Sequence, residues 1–350
     1  MNDLNTSRAN RPRGPWGRIV AAFALALTIA FSAYLLITLS DAKSSALGGI
    51  WFLAILPAFL CALICYIGDP QRTRGAAFYW LVPIVLVALV CAGAVWFLKE
   101  GVVCLIMLSP IWIVAGWIGA FITRALRKRA PDASTGVRRV NTDVFKSSLL
   151  LLPLFSGFAE SQIPIAPAQI TLSRQIVVQA TPAEIWPYTV SNPHIAPTEG
   201  RWTFAQNIVG LPRPRATVMH GTGVGAVRTA CWGDHISFDE HITAWQPGRK
   251  LAWDFAFTND SLQNYTDKHI APDGQFLKIA SGDYTLTPLS DRTTLVTLNT
   301  RYIAKTHVNL YARLWGEVLL GGIESNILTI IKHRAETIAA RPDRSQATGR

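Results

Sequence analysis

The stretch from Gly223 to Phe255 concentrates the residue types that most often do chemistry in proteins. Its 33 residues include two arginines, two histidines, four acids, three tryptophans and one cysteine. Such a set could form a catalytic site, a metal site or the wall of a binding pocket. The spacing of the individual residues favours the pocket wall, as the following paragraphs argue motif by motif.

The histidines and glycines of this stretch do not have the spacing of a metal or cofactor site. His235 and His241 lie six residues apart on one predicted strand, so they share a face but are separated by about 20 Å, which is too far for one metal ion. The Gly223-x-Gly225 motif precedes a strand, whereas a dinucleotide-binding loop follows a strand and opens a helix. We therefore predict no metal and no cofactor.

Arg228 is the most informative charged residue. A hairpin turn predicted at Gly233-Asp234 places it opposite Asp239 or Glu240, depending on the register of the two strands. Glu240 shares its strand face with apolar neighbours, which are Ile236, Phe238 and Ile242. Two interpretations remain open: an exposed ion pair of little energetic value, or an Arg–Glu pair at a cavity mouth that orients a polar group.

Nucleophilic catalysis has no sequence signature in this chain. Cys231 has no positive neighbour in the sequence that would activate a thiolate. The chain has no Ser-His-Asp order and no Gly-x-Ser-x-Gly motif. If the protein is an enzyme, a general base is the simplest requirement, and the candidates are His241, Asp239 and Tyr284. The sequence leaves open whether the protein is an enzyme.

These residues belong to a predicted α+β domain that ends in a long helix. Thr181 and Glu184 form a capping box that opens a short helix, and the apolar spacing within His307–Ala339 predicts one long amphipathic helix. Alternating β-forming residues predict six strands, at Ile170–Ala180, Val224–Trp232, His235–Trp245, Lys250–Phe257, Phe276–Thr287 and Thr293–Ile303. An antiparallel sheet with the long helix across one face follows from these elements.

The first part of the chain is different, because hydrophobic residues make up 50% of the whole sequence and concentrate there. Four uncharged apolar runs are each close to the roughly 20 residues that a membrane-spanning helix requires. They are Ile19–Leu39, Ile50–Ile67, Ala76–Leu98 and Val102–Ile122. We predict four transmembrane helices within residues 19–122.

The basic charge follows these runs, so it indicates topology. Residues 1–147 carry 15 Lys and Arg against 6 Asp and Glu, whereas residues 148–350 carry 18 against 16. Under the positive-inside rule, the arm 1–18 and the segment 123–146 lie in the cytoplasm. We therefore predict the lipid bilayer, and no nucleic acid, as a partner.

A further apolar run, Ser147–Ala159, decides the side of the C-terminal half. It has 13 residues, which is short for a span. It is either an interfacial helix, which would leave the C-terminal half in the cytoplasm, or a short fifth span. We favour the fifth span, because a basic stretch precedes the run and a proline-rich stretch follows it. Residues 147–165 then lead to an extracytoplasmic domain.

Several segments of the C-terminal half resemble the SRPBCC superfamily, the START/Bet v 1-like helix-grip proteins. They are "ITLSRQIVVQATPAEIWPYTV", "GVGAVR", "FDEHITAWQPGRKLAW" and "YTLTPLSDRTTLVTLNTRY", with the closing helix. The resemblance covers residues 168–340 and implies a curved sheet that grips the long helix around an apolar cavity. Members bind lipids, sterols or polyketides, or act as cyclases or co-chaperones, so the fold implies no single activity. The N-terminal half is similar to the anchors of bacterial membrane-attached members.

The sequence thus predicts an integral protein of a bacterial inner membrane, with a cytoplasmic N-terminus and a disordered tail at 341–350. Its helix-grip domain is expected to bind a hydrophobic or amphipathic, lipid-like molecule taken from the bilayer. The residues expected to bind this ligand are Arg228, Glu240, Trp253 and Arg301. Two alternatives remain: a cyclase- or aromatase-like enzyme on the same fold, and a protein-interaction module.

Overall fold

The computed structural model describes residues 15–39, 49–129, 153, 155–266, 272–274 and 276–340. The chain divides into two compact units, one of which holds most residues before 164 and the other residues 100–107 and 164 onward. Most of the arm 1–18, most of the segments 123–146 and 147–154, and the tail 341–350 lie outside the described residues, so the predictions made for them stay predictions.

The structure confirms the four predicted apolar helices, which belong to the first unit except for residues 102–107 at the start of the fourth. They are α1 Pro15–Leu39, α2 Trp51–Gly68, α3 Ala76–Leu98 and α4 Val102–Arg129. Each is long and apolar enough to cross a membrane. The helix α4 continues seven residues beyond the predicted apolar run, through a basic last segment.

The two ends of α2 are held by different parts of the first unit. At its C-terminal end, the Arg127 guanidinium donates hydrogen bonds to the carbonyls of Tyr66 and Pro70, at 3.0 and 2.9 Å. At its N-terminal end, the backbone amide of Trp51 donates to the carboxylate of Glu160, at 2.7 Å. Residue 160 therefore lies at the opposite end of α2 from the end of α4.

The second unit is built on a seven-stranded antiparallel sheet with the order β1-β7-β6-β5-β4-β3-β2. The strands are β1 Ala168–Val178, β2 Pro214–His220, β3 Val227–Trp232, β4 Ile236–Gln246, β5 Lys250–Ala256, β6 Leu277–Ser290 and β7 Thr293–Ala304. Six were predicted to within three residues at each end. The strand β2 was missed because it lacks apolar alternation; it lies at the sheet edge, where its first residue, Pro214, is tolerated.

Four helices complete this unit, and the last of them crosses the sheet. They are α5 Pro182–Val190, α6 Phe204–Asn207, α7 Ser261–Thr266 and α8 Asn309–Ala339. The predicted capping box is present, because the Thr181 hydroxyl accepts from the Glu184 amide and the Glu184 carboxylate accepts from the Thr181 amide. The helix α8 packs on β1 and β7. The structure thus confirms the predicted helix-grip fold.

By length and composition α8 is also a candidate membrane span. Its packing in the second unit gives it another role, because it buries the polar residues Glu324 and Asn326 against the domain. Asn326 shows how closely the contact is made, since its Oδ1 accepts from the Arg201 amide at 2.7 Å and its Nδ2 donates to Gln206 at 2.9 Å. We therefore treat α8 as part of the domain.

Alternate residues of each strand face α8, but they do not form one continuous core. The main core joins the sheet, α5 and the C-terminal half of α8, and includes Val178, Ile185, Ile242, Leu251, Val296, Leu328 and Ile331. A second group, which we call the aromatic cluster, consists of Trp232, Phe238, Phe255 and Phe257. In the described part of the chain none of its members comes from α8. The sheet therefore extends an apolar face beyond the region where the helix closes the core.

Candidate ligand-binding site

Arg228 and Glu240 lie directly opposite each other on β3 and β4. The Arg228 Nε donates to the Glu240 carboxylate, and both residues are buried, with 3% and 5% of their surface exposed. Asp239 lies on the other face of the sheet, where it accepts a hydrogen bond from the Thr229 hydroxyl at 2.8 Å. Of the two registers that the sequence allowed, the structure has the one that buries the ion pair.

The guanidinium of Arg228 is also held by aromatic rings. Its Cζ lies 4.4 Å from the ring centroid of Trp253 and 5.7 Å from that of Tyr284, within the range of a cation–π interaction. Its Nη1 donates to the backbone carbonyl of Thr189, near the end of α5. Arg228 therefore connects β3, β4, β5, β6 and α5 at one point inside the domain.

Burial controls the protonation of the groups around Arg228. It raises the pKa of Glu240, and the neighbouring Arg228 offsets part of that rise. Burial also raises the pKa of the Tyr284 hydroxyl far above its ordinary value. Tyr284 therefore keeps its proton at neutral pH, so it can donate a hydrogen bond but is a poor general base.

Glu324 on α8 is a buried acid that sequence reasoning missed. Only 3% of its surface is exposed, and neither carboxylate oxygen has a hydrogen-bond partner of good geometry among the described residues. Burial raises its pKa to about 7, although the nearby Thr300 hydroxyl and Arg174 guanidinium offset part of the rise. A signal was available, because Glu324 precedes Ile327, Leu328 and Ile331 by three, four and seven residues, which places it on the buried face of the helix.

We call these five residues the interior cluster: Arg228, Glu240, Trp253, Tyr284 and Glu324. Three contacts hold the first four together, and the cluster meets the aromatic cluster through Phe255, whose ring centroid lies 6.0 Å from that of Trp253. Along α8, Glu324 lies between Leu320, which packs with Tyr302, and Leu328 of the main core. The cluster therefore places donors, an acceptor and one ion pair where the apolar core ends.

The structure brings three of the four predicted ligand-binding residues together and places the fourth elsewhere. Arg301 lies on the outer face of β7, where its Nη1 is 2.7 Å from Asp283 Oδ1 and about half of its side chain is exposed. The candidate bases divide in the same way. His241 and Asp239 lie on the outer face, and only Tyr284 faces the helix. A role in ligand binding stays a prediction for all of these residues.

A metal centre has no obvious place in the described part of the chain. No group of three or more His, Cys, Asp or Glu side chains there lies close enough to hold a metal ion. His235 lies in the turn just before β4 and His241 lies in the middle of that strand, and both side chains are exposed.

Comparison with known proteins finds similarity of structure only. No family model matches this chain, and no curated protein does so. Norcoclaurine synthase from Thalictrum flavum, solved in complex with dopamine and hydroxybenzaldehyde, is 10% identical, with a TM-score of 0.32; the match covers 51% of this chain and 91% of that chain. The Zhui aromatase/cyclase from Streptomyces sp. R1128 is 12% identical, with a TM-score of 0.32, and the match covers 49% and 98% of the two chains.

A third similar structure is the di-domain aromatase/cyclase StfQ from the steffimycin biosynthetic pathway. It is 12% identical, with a TM-score of 0.32, over 57% of this chain and 62% of that chain. These matches fall on about half of the chain, as the predicted resemblance does. At such identities and scores they carry no argument about a ligand or a reaction, which must come from the site itself.

Proposed function

We propose that this protein is a membrane-anchored binding protein whose helix-grip domain holds an amphipathic small molecule between the sheet and α8. The observation that carries the proposal is the carboxylate of Glu324, which is buried inside the domain and makes no hydrogen bond of good geometry with the described residues, although the Thr300 hydroxyl lies nearby. A buried polar group without a partner is costly and calls for an explanation. A ligand that donates to Glu324 supplies that partner.

The aromatic cluster supports an apolar portion of the ligand. Phe238 lies 5.9 Å from Phe255 and 5.6 Å from Phe257, measured between ring centroids, and Trp232 lies 6.0 Å from Phe238. Three of these four rings are only partly buried although they face the inside of the sheet. Pockets for small molecules typically combine such aromatic walls with a few polar groups.

The ends of α2 support a fifth crossing and an extracytoplasmic domain. Arg127 contacts one end of α2 and Glu160 contacts the other, so residues 127 and 160 lie at opposite ends of that helix. The basic residues Arg124, Arg127 and Lys128 assign the first of these ends to the cytoplasm. Residue 160, and the domain that follows it, would then lie on the opposite side. We propose the bacterial inner membrane as the location.

Extraction of the purified full-length protein tests the binding proposal. Three proteins are purified in the same detergent and their organic extracts are compared by mass spectrometry: the wild type, the variant Glu324→Leu, and the control Arg215→Met/Asp234→Met. The control removes an exposed ion pair of the same domain, whose side chains are 51% and 70% exposed. A molecule retained by the wild type and the control but lost from the interior variant is the ligand. Extracts that do not differ contradict the proposal.

A second candidate function is a cyclase- or aromatase-like enzyme, and one observation favours it. The pKa of Glu324 lies near 7, where a carboxyl group can both accept and donate a proton at neutral pH. Once extraction has identified a substrate class, Glu324→Gln should lower turnover by roughly 10²–10⁴ while affinity changes little. Loss of affinity without loss of turnover would assign Glu324 to binding alone.

A further inference from the structure

Among the described residues, several buried groups of the domain lack hydrogen-bond partners, and two of them are chemically complementary. The Glu324 carboxylate is an acceptor, and the Trp253 indole Nε1–H is a donor. Tyr302 Oη is also unpartnered, but it lies beside Gly316, near the start of α8. Asp283 Oδ1 belongs to the outer face of the sheet, where Arg301 approaches it. Only Glu324 and Trp253 belong to the interior cluster.

The strand register places these two groups on the same row of the sheet. Trp253 of β5 is paired with Gly282 of β6, which is paired with Thr300 of β7. The indole lies across Gly282, because a Cβ added there would be 2.5 Å from Trp253 Cζ2 and 2.9 Å from its Nε1. The Thr300 hydroxyl is next to Glu324. This row of the sheet therefore carries the unpartnered donor on β5 and, two strands away on β7, the threonine that lies next to the unpartnered acceptor of α8.

The fixed charges around this region are already neutralised. Arg228 is paired with Glu240, and the Nη2 of Arg174 donates to Glu317 Oε2 at 2.8 Å. The titratable groups nearest to Glu324 are Arg174 on β1, Glu317 on α8 itself and Tyr284 on β6. An anionic head group would therefore meet Glu324 without a free cation to bind it, which is unfavourable at low dielectric constant.

We infer that the ligand is a neutral apolar alcohol or phenol, whose hydroxyl oxygen accepts a hydrogen bond from Trp253 Nε1–H and whose hydroxyl proton is donated to Glu324. This inference rests on the proposed binding function. A hydroxyl is the smallest group that both accepts and donates. An ammonium group would satisfy Glu324 but offers no acceptor to the indole, and an ether accepts from the indole but has no proton to donate to a carboxylate.

A matched pair of probes tests the hydroxyl: 2-naphthol and its methyl ether, 2-methoxynaphthalene. The full-length protein is labelled with ¹⁵N in its tryptophan indoles and studied in detergent, and Trp253→Phe identifies the Trp253 resonance. We expect 2-naphthol to bind at least about tenfold more tightly than the ether, since a hydrogen bond to a buried charged group is lost with the ether. The resonance of the Trp253 indole proton should shift downfield when 2-naphthol binds, and it should not shift without binding.

Variants at Glu324 show whether this side chain causes the preference. Glu324→Leu should abolish the difference between the two probes, whereas Glu324→Gln should retain only part of it, because the amide oxygen still accepts a hydrogen bond but carries no charge. Glu336→Gln is the matched control on the same helix, because Glu336 pairs with Lys332 away from Glu324, and it should leave the preference unchanged. Equal affinity of both probes for the wild type overturns the hydroxyl inference but leaves the binding function standing. Binding of neither probe, together with extracts that do not differ, overturns both.

Discussion

Arg228 and Glu240 face each other directly across β3 and β4, and their ion pair is almost completely buried. Removing two charges from water is costly, and their mutual attraction repays that cost only when both partners are present. The ion pair therefore connects five elements of the domain. It stabilises them only while both Arg228 and Glu240 are present.

The first prediction concerns one half of this pair. Arg228→Met leaves the Glu240 carboxylate buried without its cation, so we expect the free energy of unfolding to fall by about 3–5 kcal/mol. Arg228→Met/Glu240→Met removes both charges and should be closer to the wild type than the single variant. Urea unfolding followed by near-ultraviolet circular dichroism measures both. A double variant that is less stable than the single variant would contradict this account of the pair.

The second prediction is a pH dependence that originates at Glu324. Its pKa is 4.5 in its ordinary state and about 7 in the folded protein, so the folded state holds the proton more strongly. The stability contributed by the protonated group is complete below pH 4.5, decreases as the pH rises towards 7, and is absent above that. The loss amounts to about 3 kcal/mol.

The measurement compares the wild type with Glu324→Gln at pH 5 and pH 8, because the amide cannot ionise. The variant should be more stable than the wild type at pH 8, and the difference should become smaller at pH 5. Other acids titrate in both proteins, so their effects on the free energy of unfolding cancel in the comparison. A difference between the two proteins that does not change with pH would show that Glu324 does not titrate in this range.

The third prediction tests how the Trp253 indole is positioned. Gly282 has no Cβ, and this allows the indole to lie across it. Gly282→Ala forces the ring to move, so we expect a loss of about 1–3 kcal/mol and a change in the Trp253 indole resonance. Gly75→Ala is the control, because Gly75 has an ordinary φ of −66° and no atom within 4 Å of the added Cβ. An unchanged indole resonance in Gly282→Ala would place the ring elsewhere.

Alternation along the strands made much of the site predictable. Glu240 lies between apolar neighbours of the same parity, and this indicated that it faces inward. The same rule places Arg301 on the outer face, because Thr300 and Tyr302 on either side of it are inward-facing and buried. Arg301 was chosen for its charge, before its parity was considered, and its role in ligand binding stays a prediction.

The placement of Glu324 beside the row of the sheet that carries Trp253 was not predictable from the sequence. It depends on the register of β5, β6 and β7 and on the axial position of α8 over Thr300. These are tertiary quantities to which residues far apart in the chain contribute, so no local pattern encodes them. The helix-grip fold itself was accessible, because strand alternation and helix periodicity are local.

The fourth prediction concerns the ion pair that attaches the C-terminal half of α8 to the loop after α5. Arg334 donates to both carboxylate oxygens of Glu199, at 2.7 and 2.8 Å, and also to Asn192 Oδ1 at 3.1 Å. This contact lowers the pKa of Glu199 below its ordinary value of 4.5. The stabilisation is thus present above pH 4.5 and is lost as the pH falls through the lower pKa of the folded state.

Glu199→Gln should therefore destabilise the protein by about 1 kcal/mol at pH 7, a modest figure because the pair is partly exposed to solvent. The gap between the variant and the wild type should close in acid, when Glu199 is protonated in both states of the wild type. Thermal unfolding at pH 7 and pH 3 provides the comparison. A gap that widens in acid would assign the effect of the variant to something other than the ion pair.

The fifth prediction concerns the side of the membrane on which the helix-grip domain lies. The 18 residues of α2 are about 27 Å long, and Arg127 and Glu160 contact its opposite ends. The separation of these two contacts along α2 is therefore close to the thickness of a hydrocarbon core, about 30 Å. Alkaline phosphatase fused after residue 350 should be active in a bacterial host, whereas green fluorescent protein fused there should stay dark. Fusions after residue 129 are the matched control and should give the opposite result. A bright green fusion after residue 350 would place the domain in the cytoplasm and make the run at 147–159 an interfacial helix.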